Sequence, residues 1–129
     1  MPKSILLVED DEELTRIFVT LLKRKGLDII SFLNPLQALE NFKMNIDKYS
    51  LVITDYKMEG MNGFEFAREI RRLKGNNIVI IMITAFSLQD IENKEEISTL
   101  IDKAITKPFS LKNLDSILSS YLANQSLIE

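Results

Sequence analysis

Ile5-Leu6-Leu7-Val8 runs without a break into Glu9-Asp10-Asp11-Glu12-Glu13, and the reading of this one stretch decides the fold. A short apolar run rich in branched side chains, ended by polar residues, predicts a strand buried on both faces rather than a helix. From Leu14 onward the period changes. Leu14, Ile17, Phe18, Leu21 and Leu22 stand at i, i+3, i+4, i+7 and i+8, the stripe of an amphipathic helix, and Gly26 suits the C′ position that ends it.

The same alternation continues along the chain. Apolar β-rich runs recur at Ile29 to Phe32, Leu51 to Thr54, Ile78 to Thr84 and Ala104 to Thr106. Between them, Asn34 as N-cap and Pro35 at the first helical position open a helix carrying Ala38, Leu39 and Phe42. A third helix carries Phe66, Ala67, Ile70 and Leu73, and the last carries Leu114, Ile117, Leu118, Tyr121 and Leu122 behind Ser110 as cap. The fourth is weaker: Ser87 with Asp90 resembles a capping box, but Glu92-Asn93-Lys94-Glu95-Glu96 interrupts the stripe before Ile97, Leu100 and Ile101. That segment is expected to be the least rigid. Strand followed by helix, repeated, predicts an α/β fold with a parallel sheet covered on both faces, because parallel neighbours require crossover connections. In such a sheet, chemistry sits beyond the carboxyl ends of the strands, where strand order reverses.

Composition narrows the chemistry. The 129 residues contain no Cys and no His. Thiolate metal sites, thiol nucleophiles, imidazole bases, His ligands and a Ser-His-Asp triad are thereby excluded. A chain of this length buries roughly two-thirds of its unfolded surface and needs neither disulfide nor structural metal. The longest apolar run, Ile78 to Ile83, falls far short of the ~20 residues that cross a bilayer, and Met1-Pro2-Lys3-Ser4 opens no secretory segment. A soluble cytoplasmic protein without a membrane partner is expected. The net charge is −3, and the one sizeable basic cluster, Arg68, Arg71, Arg72 and Lys74, lies on a predicted helix, so no direct nucleic-acid partner is expected. No linker, repeat or low-complexity stretch appears, so residues 1–129 are read as one domain, although Ala123-Asn124-Gln125-Ser126 would also suit a truncated linker.

What stands at the strand ends suggests a task. Asp10 or Asp11 would cap the first helix, and acids favour its positive end. Capping explains less well why acids begin at the last residue of a buried strand, where negative charge crowds unless a cation is present. Asp55 ends the third strand, Thr84 the fourth, and Lys107 with Pro108 follows the fifth. Each has a bland reading alone: a loop cap, a polar exit from the sheet, a solvated loop lysine. Together they place carboxylates, a hydroxyl and an ammonium at one edge of one sheet. Oxygen donors of this kind suit Mg²⁺. A carboxylate oxygen of Asp55 can attack phosphorus, Thr84 can donate to a phosphoryl oxygen, and Lys107 can offset the charge that builds on transfer. The acids are expected to face solvent, so that metal removal leaves the fold intact.

These residues resemble the receiver domain of bacterial two-component response regulators, in size the single-domain chemotaxis type. The carriers are Ile5-Leu6-Leu7-Val8-Glu9-Asp10-Asp11, Thr54-Asp55-Tyr56-Lys57-Met58 with Gly60-Met61-Asn62-Gly63, Ile83-Thr84-Ala85 and Lys107-Pro108-Phe109. The resemblance covers Lys3 to Leu122, the expected core of the domain. It implies a flavodoxin-like, doubly wound five-stranded parallel sheet of order 2-1-3-4-5 with five helices. It implies Asp55 as phospho-acceptor, Asp10 as direct Mg²⁺ ligand, Glu9 acting through water, and the Lys57 carbonyl as backbone ligand. Thr84 and Lys107 would sense the phosphoryl group, and the Lys107-Pro108 bond would be cis.

Three departures stand out. Met58-Glu59 replaces the common Met-Pro and loosens the loop after the acceptor. Ala104 stands where an aromatic residue usually follows the threonine toward the phosphoryl group, so Thr84 with the loop, Phe86 or Phe109 must carry the signal, or the signal is weak. Phe86 and Lys57 occupy positions that in the family tune hydrolysis of the phospho-aspartate. The expected activity is a phosphorylation-operated switch, not a turnover enzyme. Its donor would be a sensor histidine kinase or phosphotransfer protein, and its downstream protein partner would read the face of the fourth helix, fifth strand and fifth helix. A phosphorylation-dependent homodimer is left open. The alternatives are a receiver cut from a hybrid kinase or transcription factor, a degenerate scaffold suggested by Ala104, and an aspartyl-phosphate phosphohydrolase. The last is disfavoured because Lys57 stands where its second aspartate would act.

Overall fold

The computed structural model describes residues 4–85 and 98–124. The first unit is strand β1 (Ser4–Val8) and helix α1 (Glu12–Arg24), followed by β2 (Asp28–Phe32) and α2 (Pro35–Met44). A short 3₁₀ turn (Ile46–Lys48) leads into β3 (Tyr49–Asp55), α3 (Gly63–Lys74) and β4 (Val79–Thr84), and the chain ends with β5 (Lys103–Thr106) and α4 (Leu111–Asn124). The strands form one sheet in the order β2-β1-β3-β4-β5, and every pairing is parallel. Sheet and order are those expected. The weak helical segment and its Ser87–Asp90 cap lie largely outside the described residues, as does Phe86; residues 98–100 are helical.

Both faces of the sheet are covered, and strand alternation divides the core in two. Leu6, Val8, Val52, Ile80 and Met82 pack with Ala38, Leu39 and Phe42 of α2 and Phe66, Ala67 and Ile70 of α3. Ile5, Leu7, Leu51, Ile53, Ile81 and Ile83 pack on the other face with Phe18 and Leu22 of α1 and Leu114 and Leu118 of α4. The period-2 reversal of side chains therefore turns one continuous apolar run into two cores. The two edge strands are the exceptions: in β2, Asp28 and Ser31 are exposed and the other residues half-buried, and in β5 only Ile105 is buried.

The caps are local. Asn34 Oδ1 accepts from the Leu36 and Gln37 amides at 2.8 and 3.2 Å, and Ser110 Oγ accepts from the Asn113 amide at 3.1 Å, both as the sequence predicts. Asn62 and Glu65 form a reciprocal capping box at the start of α3 that the apolar pattern did not announce. Four strands start earlier than their apolar runs, β1 by the single residue Ser4. Asp28 joins β2 while its carboxylate accepts from Ser4 Oγ at 2.6 Å, Tyr49 joins β3 by stacking on Phe42, and Lys103 joins β5 opposite Ile81. Ala123 and Asn124 belong to α4, and Gln125 and Ser126 lie outside the described residues.

The basic cluster on α3 is engaged in the fold. Arg71, only 12% exposed, donates to the carbonyls of Leu100, Gly75 and Ile78 and pairs with Asp102 at 2.8 Å. Lys74 Nζ donates to the Ile46 and Tyr49 carbonyls, and Arg72 pairs with Glu69.

Candidate functional site

Register brings the site together. Val8 pairs with Thr54, so the next residues, Glu9 and Asp55, leave neighbouring strands side by side. Asp55 pairs with Ile83, and Thr84 with Thr106, which puts Thr84 and Lys107 on the same carboxyl rim. The Glu9 amide still donates to the Phe32 carbonyl at 3.1 Å, so Glu9 prolongs the strand pairing into the turn.

The three adjacent acids after β1 have three different fates. Asp11 is the N-cap of α1, its Oδ1 accepting from the Glu13 and Leu14 amides at 2.9 and 3.1 Å. Asp10 is exposed, whereas Glu9 is fully buried. The expectation that these acids face solvent therefore fails for Glu9, because its backbone remains in the sheet and carries the side chain inward with it. One carboxylate oxygen from each of Glu9, Asp10 and Asp55 lies within 4.8 Å of the others.

Asp55 is 6% exposed, and its two oxygens differ. Oδ1 accepts from the Tyr56 amide at 2.8 Å. Oδ2 lies 3.7 Å from Lys107 Nζ, which also lies 3.5 Å from Glu9 Oε1. Lys107, half-buried, thus lies between two acids, and its amide donates to the Thr84 carbonyl at 2.7 Å. The Lys107-Pro108 bond is cis, as expected. Thr84 itself is fully buried at the end of β4. Lys57 is exposed, two residues beyond Asp55.

One ammonium cannot neutralise two enclosed carboxylates and a third beside them. The Glu9 carboxyl is accordingly raised from 4.5 to about 8, first by burial, then by its hydrogen bond with Asp55 and the charge of Asp55; Lys107 and the Asp11 amide oppose the shift only in part. A site of hard oxygen donors that lacks positive charge fits a divalent cation such as Mg²⁺.

Two positioning features were not anticipated in the sequence. A Cβ on Gly63 would stand 2.3 Å from the Asp55 carbonyl oxygen and 2.9 Å from Tyr56 Cα, so only glycine lets α3 start against the acceptor's backbone. The Gly63 amide closes that approach by donating to the Tyr56 carbonyl at 2.6 Å. Thr54 Oγ1 donates to the same Asp55 carbonyl at 2.9 Å. The aromatic gap is also clear. Ala104 pairs with Met82, while Phe109 packs edge-on against Phe18, ring centroids 6.3 Å apart, in the core on the opposite face.

The sequence profile of the response regulator receiver domain matches residues 5–119. A transcriptional regulatory protein CpxR homologue of Haemophilus influenzae is 36% identical over 119 residues, covering 92% of this chain and 50% of its own; the chain thus spans half of that relative's length. The response regulator receiver protein CpdR of Brucella abortus is 32% identical over 112 residues, covering 87% of this chain and 90% of its own. Among solved structures, the response regulator protein TrrA of Thermotoga maritima, crystallised in complex with Mg²⁺-BeF, superposes with a TM-score of 0.77 at 30% identity, covering 92% of this chain and 97% of the other.

Proposed function

The chain belongs to the response regulator receiver domain family, and on that premise we propose that it is a phosphorylation switch whose acceptor is Asp55. The observation that carries the proposal is the enclosed pair Glu9 and Asp55 beside Lys107, with Asp10 at its mouth. Asp55 Oδ1 is tied to the Tyr56 amide, which leaves Oδ2 as the nucleophile. The donor is a phosphohistidine on a sensor histidine kinase or phosphotransfer protein, since this chain contains no His. Oδ2 forms the new O–P bond as the donor's N–P bond breaks, and the freed imidazole takes up a proton.

Glu9, Asp10, Asp55 and the Lys57 carbonyl are the residues that would hold Mg²⁺, Glu9 through water. When bound, Mg²⁺ would neutralise the charge that the carboxylates and phosphoryl oxygens bring together. Lys107 moves from its two carboxylate partners to the new phosphoryl oxygens, and the Thr84 hydroxyl donates to another. The added charge of roughly −1.5 to −2 biases an existing equilibrium at β5, α4 and the segment that precedes β5. A downstream protein reads that face. With Ala104 in place of an aromatic, the displacement of Thr84 and its loop carries the signal. Hydrolysis at Asp55 resets the switch without turnover of a separate substrate. Among the described residues no helix is long and apolar enough to cross a membrane, and we place the switch in the cytoplasm.

Phosphoramidate, a small donor with an N–P bond, tests the proposal. It is expected to give a Mg²⁺-dependent adduct that hydroxylamine cleaves, as an acyl phosphate requires. A hydroxylamine-stable adduct, or equal labelling in EDTA, contradicts it.

A further inference from the structure

The turn between β1 and α1 carries Glu9, Asp10 and the cap Asp11, and among the described residues no hydrogen bond holds the Asp10 carboxylate. Its position must therefore come from the backbone. Thr15, half-buried on the first turn of α1, reaches back to that backbone: its Oγ1 lies 2.9 Å from the Asp11 carbonyl and 3.3 Å from the Glu9 carbonyl. A threonine hydroxyl on the carbonyl four residues back is ordinary within a helix. A second acceptor six residues back, at the end of a buried strand, is not. The Asp11 carbonyl already accepts the Thr15 amide at 2.9 Å, so the hydroxyl is not needed to satisfy it. One side chain thus spans the carbonyls on either side of Asp10.

Resting on the Mg²⁺ reading of the site, we infer that Thr15 is a positioning residue that pins the Glu9–Asp11 turn and thereby aims the Asp10 carboxylate at the cation. It touches neither metal nor phosphoryl group. Releasing the turn lets Asp10 sample orientations away from the cluster, and cation affinity falls by the fraction of time it is misplaced.

The test compares wild type with Thr15→Val, Thr15→Ala and Thr15→Ser by MgCl₂ titration of the folded proteins, following amide NMR shifts of residues 9–11 and 55–57. Urea denaturation in EDTA is measured in parallel. Loss of the hydroxyl is expected to raise the Kd for Mg²⁺ about tenfold, the low end for removal of a group that orients a metal ligand. Thr15→Ser is expected to bind as wild type does, because it keeps the hydroxyl. If Thr15→Val folds poorly because its methyl replaces a hydrogen-bonded group, Thr15→Ala gives the same comparison. A shift of the urea midpoint in EDTA with an unchanged Kd makes Thr15 merely structural and overturns the inference. So does a Thr15→Ser variant as weak as Thr15→Val, which would assign the effect to methyl packing. Should wild type itself bind no Mg²⁺, the metal reading fails first, and the inference falls with it.

Discussion

Replacing Glu9 with glutamine is expected to stabilise the metal-free protein at neutral and alkaline pH, the reverse of the usual outcome for a buried site. The carboxyl titrates near 4.5 in the unfolded chain and near 8 in the fold, chiefly because burial disfavours its charged form. Between those values the folded state keeps a proton that the unfolded state has released, so stability falls as pH rises. The contribution is fully present below pH 4.5 and lost as pH passes about 8. Between pH 5.5 and 8.5 the loss amounts to about 3 kcal/mol, against a total of about 5–15 kcal/mol for a typical domain. Glutamine mimics the protonated form and removes the dependence. The measurement is urea denaturation in EDTA at both pH values for both proteins. With a slope of about 1–2 kcal/mol per M urea, the wild-type midpoint falls by roughly 2 M between them while the Glu9→Gln midpoint stays nearly level. Because the chain has no His, no side chain with an ordinary imidazole pKa obscures this window, and groups common to both proteins cancel. Saturating Mg²⁺ is expected to restore wild type more than the variant, since binding stabilises in proportion to affinity. A flat wild-type profile, or a variant that falls in parallel with it, refutes the reasoning.

Two further substitutions probe the support of the acceptor. Gly63→Ala drives a methyl into the Asp55 carbonyl and is expected to cost about 1–3 kcal/mol, read as a lower urea midpoint; an unchanged midpoint would show that α3 can retreat freely. Lys107→Ala keeps the backbone bond to Thr84 and so the strand. It is expected to leave circular dichroism unchanged while abolishing the amide NMR shifts in β4 and β5 that labelling of Asp55 induces in wild type. Persistence of those shifts would remove Lys107 from the switch.

The strands and the convergence of the site were legible because both follow from short-range rules, whereas the strand order rested on the family resemblance. Apolar runs named the strands, Asn34-Pro35 and Ser110 named helix starts, and acids at the ends of β1 and β3 named the rim. What stayed hidden depends on direction rather than residue type. Glu9, Asp10 and Asp11 are chemically alike and adjacent, and only the continuation of β1 past Val8 decides that one is buried, one exposed and one a cap. Arg71 reads as surface charge in a basic cluster, yet its partners at Leu100 and Asp102 are some 30 residues away. Gly63 reads in the sequence as a loop glycine that needs no special reason; only its place at the start of α3, against Asp55, supplies one.

The central claim is that Asp55 forms an acyl phosphate in a site that needs a divalent cation. Intact-mass spectrometry after incubation with acetyl phosphate tests it most directly. Wild type with Mg²⁺ is predicted to gain one phosphoryl group, and neither wild type in EDTA nor Asp55→Asn with Mg²⁺ is predicted to gain any. An unmodified wild type, or an Asp55→Asn variant labelled to the same extent, would contradict the account.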